Sequence, residues 1–398
     1  MATIQITRCQ LLAASRLDKD KKNPNTNLTH IKFGENGVLS QPQPLISVII
    51  LNYNGKNYLN NCLASVLKNN YNNYEVILVD NASTDKSIQT AERLFGDDPH
   101  LKIIKNKANL GFSGGNNAGY AHCHGEYIVF LNNDTTVDTT WLTSLADTMQ
   151  SDPTIGLAQS KILMMNSDQI QIGGWIFSDY LIRKYSIAQN QSNQIKFESC
   201  FEVSVASGAS MITRRSLIEK YGLFEAKIPF FYDDTLLSVK TWLAGKRVVT
   251  ITDSQVRHIL GATSAWTLEK TTFNLLRAKI CLLFDIYYQP YELIKAIFVN
   301  AVDTLISTIY ALKGKRLAVV YANIQGFTWM LGNLRFLLQN RHTRWSKAKI
   351  SPQELREKII KIHLPMALYL LPSKLGTTTF TVATTNYEHT LHKNHPNK

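Results

Sequence analysis

Short, β-branched apolar runs alternate with stretches of helical periodicity over the first third of the chain. Four such runs predict buried strands, at residues 45–51, 75–79, 101–105 and 127–130. After the first run, apolar residues recur at helical spacing and predict a helix that carries Leu59, Leu63, Val66 and Leu67. Strands that alternate with helices across short loops predict a parallel sheet covered by helices on both faces.

Capping signals and small residues predict the elements that follow. We expect Ser83 or Thr84 to cap the helix after the second strand, with Asp85 near the positive end of that helix. Beyond Pro153 the pattern becomes less regular and the loops more polar. The other expected elements are a small-residue helix near 116–121, a Gly/Ser/Ala-rich strand at 203–211, and helices near 215–221 and 236–244.

From Trp266 the pattern changes to long helical segments. One of them, residues 293–312, is mostly apolar and about as long as a bilayer span. Lys295, Asn300 and Asp303 interrupt it, which is typical of an amphipathic helix. The sequence leaves three alternatives open for this helix, because it can span a membrane, lie in the membrane interface or pack into a protein core.

The patterns divide the chain into four regions, which differ in order and charge. They are a loosely ordered lead-in at 1–43, an α/β domain at 44–265, a helical and basic region at 266–372, and a flexible tail at 373–398. The 43 Lys and Arg residues outnumber the 30 Asp and Glu residues, which gives a net charge of +13. Residues 313–398 hold 14 of the basic residues and only 3 acidic ones, so the excess charge is C-terminal.

A basic C-terminal region can face an anionic membrane, nucleic acid or water. Aromatic residues are sparse in its most basic stretch, so we expect no nucleic-acid partner. Peripheral membrane contact through the C-terminal helices stays an open alternative. The five cysteines are scattered without a C-x-x-C pair, and the N-terminus lacks a signal-peptide core. We therefore expect a cytoplasmic protein, either free or peripheral on the cytoplasmic membrane face.

Acidic residues follow two of the predicted strands. The run Leu131-Asn132-Asn133-Asp134-Thr135 comes directly after the strand at 127–130, and Asp80 follows the strand at 75–79. The carboxyl ends of neighbouring parallel strands lie on the ligand-binding edge of an open α/β sheet. Carboxylate and amide oxygens there suit a hard divalent cation. The two strand ends therefore predict a site for a nucleoside diphosphate held through a metal ion.

Three further segments are candidates for chemistry, each with a structural alternative. The glycines of 109–116 can let backbone N–H groups close on a phosphate, or can form a turn before a tightly packed helix. Asp233 and Asp234 follow three aromatic residues, a setting that raises a carboxyl pKa and suits a general base. The alternative for this pair is a capped helix start with solvated acids. His258 can complete a metal shell or serve the structure alone.

In their order along the chain, these motifs resemble the family 2 glycosyltransferases of the GT-A fold, in particular the rhamnosyltransferase-like branch. The resemblance covers about 44–264. Its carriers are Val48-Ile49-Ile50-Leu51-Asn52-Tyr53-Asn54-Gly55, Val79-Asp80-Asn81-Ala82-Ser83-Thr84-Asp85, the segment 109–119, Leu131-Asn132-Asn133-Asp134-Thr135, Gly208-Ala209-Ser210-Met211 and Phe231-Tyr232-Asp233-Asp234. The resemblance implies a Rossmann-like nucleotide-diphospho-sugar transferase domain with a mainly helical C-terminal extension.

The resemblance also implies a role for each candidate residue. Asp234 would be the inverting base, with Asp233 as its acidic neighbour, while Asp134 and His258 would hold Mg²⁺ or Mn²⁺. The nucleotide sugar would be bound by Asn52, Asp80, Asn81, Asn109, Gly111, Phe112, Gly114, Asn132 and Asn133. Leu236, Lys240 and Ile259 depart from the residues usual in the family, which affects substrate specificity more than the reaction type.

The implied reaction moves a sugar from a nucleotide-diphosphate donor, dTDP- or UDP-linked, to an acceptor hydroxyl by inverting displacement. The acceptor would be a glycan or a lipid-linked glycan. Two alternatives remain open from the sequence. One is a nucleotidyltransferase of similar fold, and the other is a non-catalytic module that binds sugar or membrane.

Overall fold

The computed structural model describes residues 43–259 and 267–362. The predicted lead-in, apart from its last residue, and the predicted tail lie outside the described residues, as do residues 260–266 and 363–372. The described strands are β1 (Ile46–Asn52), β2 (Tyr74–Asp80), β3 (Leu101–Lys105), β4 (Tyr127–Asn132), β5 (Thr135–Val137), β6 (Ile155–Met164), β7 (Ile170–Ile172), β8 (Trp175–Ser178), β9 (Lys184–Ser186), β10 (Cys200–Glu202), β11 (Ser210–Arg214), β12 (Arg247–His258) and β13 (Ile360–Ile362).

The helices fall into two groups, one within the sheet domain and one after it. The first group is α1 (Leu59–Val66), α2 (Ser87–Phe95), α3 (Gly111–Tyr120), α4 (Trp141–Ser151), α5 (Arg215–Tyr221) and α6 (Asp233–Leu243). The second group is α7 (Leu268–Ile286), α8 (Pro290–Lys313), α9 (Leu317–Gly332), α10 (Leu334–Trp345) and α11 (Pro352–Ile359).

A mixed sheet forms the centre of the protein, with the strand order β10-β12-β6-β11-β4-β1-β2-β3. Strands β3, β2, β1 and β4 are parallel, as the alternation of strands and helices predicts. Strand β11 is antiparallel to both β4 and β6, so the sheet is not parallel throughout. Short β5 and β7 pair with β12 and β6, while β13, β8 and β9 form a separate small sheet.

Both faces of the sheet are buried, which explains the nearly continuous apolar runs in its parallel strands. In β1, Val48 and Ile50 belong to one hydrophobic core, whereas Ile49 belongs to the other. Alternate residues of β2 divide in the same way. The strand side chains therefore cover both faces, and the ends of the strands are left for polar residues.

Two of the expected local structures at this edge are wrong. Helix α2 begins at Ser87 with Lys86 as its N-cap, at φ +65°, so neither Ser83 nor Thr84 caps it. The Ser83 hydroxyl instead accepts hydrogen bonds from the Asn52 side chain and the Asn54 backbone, which hold it away from the helix. Helix α3 begins at Gly111, so most of the glycine-rich segment is helical rather than a loop.

In the second half of the sheet domain the predictions are partly correct. Helix α5 spans the predicted residues, whereas α6 begins three residues earlier than expected because the acidic pair lies in its first turn. The predicted strand at 203–211 is wrong over most of its length, because β11 begins only at Ser210. The long strands β6 and β12 were not predicted from the sequence.

The C-terminal helices pack on the sheet domain, as α7 contacts α6 and α11 contacts α6 and α7. Within the described residues, α8 alone is long and apolar enough by length and composition to cross a membrane. Only 17% of its most apolar window is buried, which contradicts the alternative of a core helix.

Candidate active site

The carboxyl ends of β1, β2 and β4 bring the predicted donor-site residues to one edge of the sheet. Asn52 lies directly opposite Asp80 in the β1–β2 register, and Leu51 lies opposite Asn132 in the β1–β4 register. Asn133 and Asp134 follow Asn132 in the turn between β4 and β5. The sequence prediction that the two acidic strand ends share an edge is therefore confirmed.

Strand β12 brings His258 to the same edge from far along the chain. Residue His258 pairs with Thr135 of β5, the neighbour of Asp134. Its Nε2 atom lies 3.3 Å from Asp134 Oδ1. Its Nδ1 atom lies 2.7 Å from Gln171 Oε1, which can only accept, so Nδ1 carries the proton. The Nε2 atom therefore faces the Asp134 carboxylate, with the Asn132 amide nitrogen 3.4 Å away.

This arrangement fits a divalent cation. Asp134 is 3% exposed, and its Oδ1 atom is buried with no hydrogen-bond partner. A buried carboxylate oxygen without a hydrogen-bond donor is unfavourable unless a positive group lies beside it. Carboxylate oxygen and neutral imidazole nitrogen are both ordinary ligands of Mn²⁺, and Gln171 holds the imidazole as outer-shell partners of metal-bound histidines do.

No cluster of three or more His, Cys, Asp or Glu side chains that could hold a metal occurs in residues 43–259 and 267–362. Asp134 and His258 would supply two ligands, so the other coordination positions would belong to water or to a bound anion. Mg²⁺ that is shared with substrate phosphates is likewise held by only one or two protein side chains. Two protein ligands would therefore be enough for a cation that also binds a nucleoside diphosphate.

Asn52 lies inside a buried amide and hydroxyl network rather than on the surface. It has no exposed area, and its Oδ1 atom accepts from Asn133 Nδ2 at 2.8 Å. Its own Nδ2 atom donates to the hydroxyls of Ser83 and Ser87. The Asp80 carboxylate nearby accepts from the Ser83 N–H. In this structure Asn52 positions Asn133 and the 83–87 turn.

Asn81 fixes the glycine-rich segment in the same manner. Its Nδ2 atom donates to Asn109 Oδ1 and the Gly111 carbonyl. Its Oδ1 atom accepts from Asn106 Nδ2 and the Leu110 N–H. All four hydrogen-bonding positions of this buried amide are used. Asn81 and Asn109 thus hold the start of α3 against the end of β2.

The N-terminus of α3, expected as a phosphate site, is closed by another part of the chain. The Pro229 carbonyl accepts from the N–H groups of Phe112 and Ser113, at 2.9 and 3.2 Å. The Ser113 hydroxyl donates to the Ile228 carbonyl. The glycine-rich segment therefore anchors the loop that leads to the acidic pair, and the structural alternative of a tightly packed helix is the one observed here.

Gly111 is required at this junction. Its φ is +72°, and a Cβ atom added there would lie 2.5 Å from Pro229 Cβ. We expect Gly111→Ala to lower the free energy of unfolding by about 1–3 kcal/mol, because it adds backbone strain and a clash. Chemical denaturation measures this loss. The control is Gly332→Ala, where an added Cβ meets nothing within 4 Å. Equal stability of the two variants would contradict the assigned packing.

Asp233 and Asp234 are the first two residues of helix α6, and the strained residue Phe231 precedes them closely. Phe231 adopts φ +68°, which is unfavourable for an aromatic residue and turns the chain into the helix. Asp234 Oδ1 accepts from the N–H and hydroxyl of Thr235, and its Oδ2 lies 3.3 Å from Lys184 Nζ. Burial and the neighbouring Asp234 charge raise the pKa of Asp233 from 3.8 to about 7. The solvated-acid alternative does not describe Asp233.

The raised pKa of Asp233 gives a prediction for the pH dependence. An acid with a raised pKa stays protonated up to that value, so Asp233 loses its proton near pH 7. Its deprotonation places a second negative charge beside the Asp234 carboxylate. We expect kcat/KM to rise through an inflection near pH 7 that belongs to the pair, and Asp233→Asn to remove that inflection. A profile unchanged by the substitution would count against this coupling.

One cavity contains both His258 and the acidic pair. It has a volume of about 470 Å³, and its lining includes Asn132, His258, Asp233, Asp234 and Lys184. Apolar side chains form much of the remaining wall, namely Phe112, Phe177, Ile182, Phe230, Leu275 and Leu282. A cavity of this size suits a small ligand or part of a larger one.

Not every predicted residue reaches this cavity. Phe112, Asn132 and His258 line it, whereas Asp134 and Asp80 are not among its lining residues. An added Cβ at Gly114 would contact Leu110, so Gly114 serves the packing of α3. Sequence reasoning missed Lys184 and Gln171, which have no local motif. Lys184 lies in β9 with its Nζ atom 4.4 Å from the Trp175 ring centroid.

The C-terminal helices support the acidic pair through a buried polar cluster. Tyr232, the N-cap of α6, donates its hydroxyl proton to Asp285 Oδ2 in α7. Arg344 of α10 lies 2.7 Å from Asp285 Oδ1, and Trp345 donates to the Asp285 carbonyl. Lys240 donates to the Gly222 and Leu223 carbonyls; burial and the Arg344 charge lower its pKa to about 7. The helical extension is thus part of the site.

Breaking this cluster should destabilise the whole protein. Arg344→Leu leaves the Asp285 carboxylate buried beside Tyr232 without its cation. Removal of one partner from a buried ion pair usually costs about 3–5 kcal/mol, and we expect a loss of this size in urea denaturation. Arg335→Leu is the matched control, because Arg335 lies exposed on the same helix. A loss below about 0.5 kcal/mol in Arg344→Leu, as expected for the surface control, would contradict the pairing.

Comparisons with known proteins agree with this geometry. The sequence model described as "Glycosyl transferase family 2" matches residues 47–222. An uncharacterized glycosyltransferase of Haemophilus influenzae (strain ATCC 51907 / DSM 11121 / KW20 / Rd) is 40% identical over 91 residues, which cover 23% of this chain and 36% of that protein. Glycosyltransferase GlyA of Streptococcus pneumoniae serotype 4 (strain ATCC BAA-334 / TIGR4) is 26% identical over 212 residues, which cover 52% of this chain and 30% of that protein.

The solved structure of GalNAc-T7 with UDP, GalNAc and Mn²⁺ shares the fold. It aligns with a TM-score of 0.57 at 17% identity, over 81% of this chain and 57% of that chain. The chain spans about a third of the length of the curated relatives named above. The fold expected from the sequence, a GT-A-type domain with a helical C-terminal extension, is confirmed. Residues 47–222 of the α/β domain therefore match the sequence model of glycosyltransferase family 2.

Proposed function

We propose that this protein transfers a sugar from a nucleoside diphosphate donor to an acceptor hydroxyl, with a divalent cation and with inversion at the anomeric carbon. The observation that carries the proposal is the single cavity lined by Asn132, His258, Asp233 and Asp234. In this cavity His258, which lies beside the candidate cation ligand Asp134, and a candidate base match the two halves of a displacement at a sugar carbon.

The donor would bind at the edge formed by β1, β2 and β4. Asp134 and His258 would hold Mg²⁺ or Mn²⁺, which when bound would stabilise the negative charge of the leaving nucleoside diphosphate. Asn132 and Asn133 would contact the donor beside the ion. Asp80 would contact the nucleoside, of a dTDP- or UDP-sugar, while Asn52, Asn81, Asn109 and Gly111 position the segments around it. Phe112 lines the cavity, and Gly114 packs behind it.

The acceptor would bind on the side of the acidic pair. Asp234 would take the proton of the attacking hydroxyl, and the N–H of Thr235 and the ammonium of Lys184 orient its carboxylate. Asp233 would be its acidic neighbour in the same helical turn. The mixed apolar and charged wall suits a sugar ring, whose faces are apolar and whose edges are polar. We propose a hexosyl or rhamnosyl group as the transferred sugar and a glycan or lipid-linked glycan as the acceptor.

A thermal-shift screen of nucleotide sugars tests the donor half of the proposal. A ligand that binds only the folded protein raises the melting temperature. We expect a nucleotide sugar to raise it in the presence of Mn²⁺ or Mg²⁺ and to lose most of that effect with a chelator. The free sugar and the metal alone are the controls.

Two results would replace the proposal with an alternative. Stabilisation by a nucleoside triphosphate, with pyrophosphate release on adding a sugar phosphate, would indicate a nucleotidyltransferase. Stabilisation by free glycan without any response to nucleotides would indicate a non-catalytic binding module. We propose a cytoplasmic location, because Cys62, Cys123 and Cys281 are buried thiols that suit a reducing compartment.

A further inference from the structure

Helix α8 carries a continuous apolar stripe on its outer face. The exposed large residues other than Tyr310 recur at spacings of three, four and seven along its whole length, namely Tyr291, Ile294, Phe298, Leu305, Ile309 and Leu312. Tyr291 is 72% exposed and Phe298 is 67% exposed. Such spacing places these side chains on one side of a helix that is about 36 Å long. The opposite side holds the residues that are buried, among them Leu293 and Ala296.

Helix α9 repeats this pattern. Its exposed apolar residues are Leu317, Tyr321, Ile324, Phe327 and Leu331, again at spacings of three and four. Its buried residues include Val319, Ala322 and Gly326, and Gly326 lies against Leu276 of α7. The two helices contact each other and both contact α7. We call the paired outer faces of α8 and α9, residues 290–332, the outer apolar surface.

This surface has no counterpart in the rest of the described chain. Twelve of the 21 exposed large hydrophobic side chains of the described residues belong to these two helices. A contiguous apolar surface of this extent marks a site that another body covers. Single exposed apolar residues, such as Leu94 on α2, need no such explanation.

The exposed charges of residues 290–332 are all of one sign. Lys313, Lys315 and Arg316 are exposed at the turn between α8 and α9, and no exposed residue of 290–332 is acidic. The two acidic residues of this segment face the protein instead. Glu292 pairs with Arg356, and Asp303 pairs with Lys279. The exposed charged groups of this surface are therefore basic.

The middle of α8 is held against the sheet domain, so the helix lies along the protein. Asn300 donates to the Tyr180 carbonyl, and Asp303 lies 3.5 Å from Arg183 in the segment before β9. A helix that crossed a bilayer would carry these polar groups through the hydrocarbon core, away from their partners. The contacts therefore favour a helix parallel to a membrane surface over one that spans it.

We propose that the outer apolar surface docks on the interface of an anionic lipid bilayer. Apolar stripes would enter the boundary between headgroups and acyl chains, and the basic turn would contact anionic headgroups. A second copy of this chain fits less well. A symmetric contact through this surface would bring like charges together without an acidic residue to oppose them. The proposal stands on α8 and α9 alone and does not depend on the transferase reaction.

Sedimentation of the full chain with lipid vesicles tests the proposal. We expect the protein to pellet with vesicles of phosphatidylcholine and phosphatidylglycerol, and at least about tenfold less with phosphatidylcholine alone, because each Lys or Arg near an anionic surface adds about 1 kcal/mol. The variant Phe298→Ser/Leu305→Ser should lower the partition coefficient by at least about tenfold, because two large apolar side chains lose their burial. Lys315→Glu/Arg316→Glu should lower it by a similar factor on anionic vesicles only.

Matched controls separate the surface from general effects. Leu94→Ser removes an exposed leucine from α2, and Lys68→Glu reverses an exposed charge after α1; both should pellet like the parent protein. Circular dichroism checks that each variant folds. The proposal is overturned if the parent does not bind anionic vesicles, or if the surface variants bind as well as the controls. A parent dimer that Phe298→Ser/Leu305→Ser converts to monomer, without vesicle binding, would assign the surface to a second copy.

Because the vesicle assay needs neither donor nor acceptor, its outcome is separate from that of the transferase proposal. A protein that pellets with vesicles yet binds no nucleotide sugar would support the membrane-docking proposal and contradict the transferase proposal. A protein that binds a nucleotide sugar but not vesicles would do the opposite.

Discussion

Asp234→Asn should bind the donor as tightly as the parent protein and lower turnover by about 100- to 10,000-fold, the usual contribution of a general base. The amide keeps the shape of the side chain but cannot accept the proton of an attacking hydroxyl. It also loses the charge that pairs with Lys184, 3.3 Å away. Release of nucleoside diphosphate measures turnover, and titration calorimetry with the nucleotide sugar measures binding.

Asp253→Asn is the control for this substitution, since Asp253 is an exposed acid on β12 away from the cavity. It should have parental turnover. Parental turnover in Asp234→Asn itself would show that another group accepts the proton. Loss of donor affinity in that variant, with unchanged turnover of bound donor, would place Asp234 in the donor site instead.

Asp134→Ala should abolish the dependence of donor binding on the metal and lower turnover by at least about 100-fold, since a bound cation supplies several kcal/mol of charge stabilisation. The residue holds the buried Oδ1 atom that has no hydrogen-bond partner and lies 3.3 Å from His258 Nε2. Its loss removes the carboxylate ligand and leaves a lone imidazole. Manganese electron paramagnetic resonance measures ion binding directly, with and without nucleotide.

Asp138→Ala is the matched control, because Asp138 is an exposed acid four residues further along the chain. It should bind manganese like the parent protein. If Asp134→Ala also binds the ion normally in the presence of nucleotide, the assigned metal site is wrong. The thermal stability of both variants should also be measured, because removal of a buried carboxylate whose oxygen lacks a hydrogen-bond partner can itself stabilise the fold.

The parallel part of the fold is predictable because its signals are local. Uninterrupted apolar runs such as that of β1 are required when both faces of a sheet are buried, and the polar residues that follow them must then lie at the strand ends. The meeting of Asp80 with Asn132 at one edge follows from parallel pairing alone. The positions of these residues could therefore be inferred from spacing and strand direction.

The antiparallel part depends on contacts between distant residues, which spacing does not reveal. His258 reaches Asp134 only because β12 pairs with β5, and Lys184 reaches Asp234 across 50 residues. Gln171, which orients His258, lies in a strand of three residues. The glycines of 111–115 were assigned to a loop, since the sequence could not show that the Pro229 carbonyl would close the start of α3.

In the helical extension, too, contacts between distant residues could not be predicted from the sequence. Its long apolar and basic pattern predicted helices correctly, but the pattern did not reveal that Asp285 and Arg344 support Tyr232, next to the acidic pair. Burial of an ion pair inside a mostly apolar region depends on the packing of three helices. Such pairs have no periodic signal in the sequence.

We propose that a cation at Asp134 and His258 binds the leaving nucleoside diphosphate, and that Asp234 accepts the proton of the acceptor hydroxyl. The most direct measurement is release of nucleoside diphosphate from the stabilising nucleotide sugar, with and without a chelator, together with the anomeric configuration of the product. We predict release that needs the metal, falls at least about 100-fold in both Asp134→Ala and Asp234→Asn, and gives an inverted product. Release that persists with the chelator and in both variants would contradict the account.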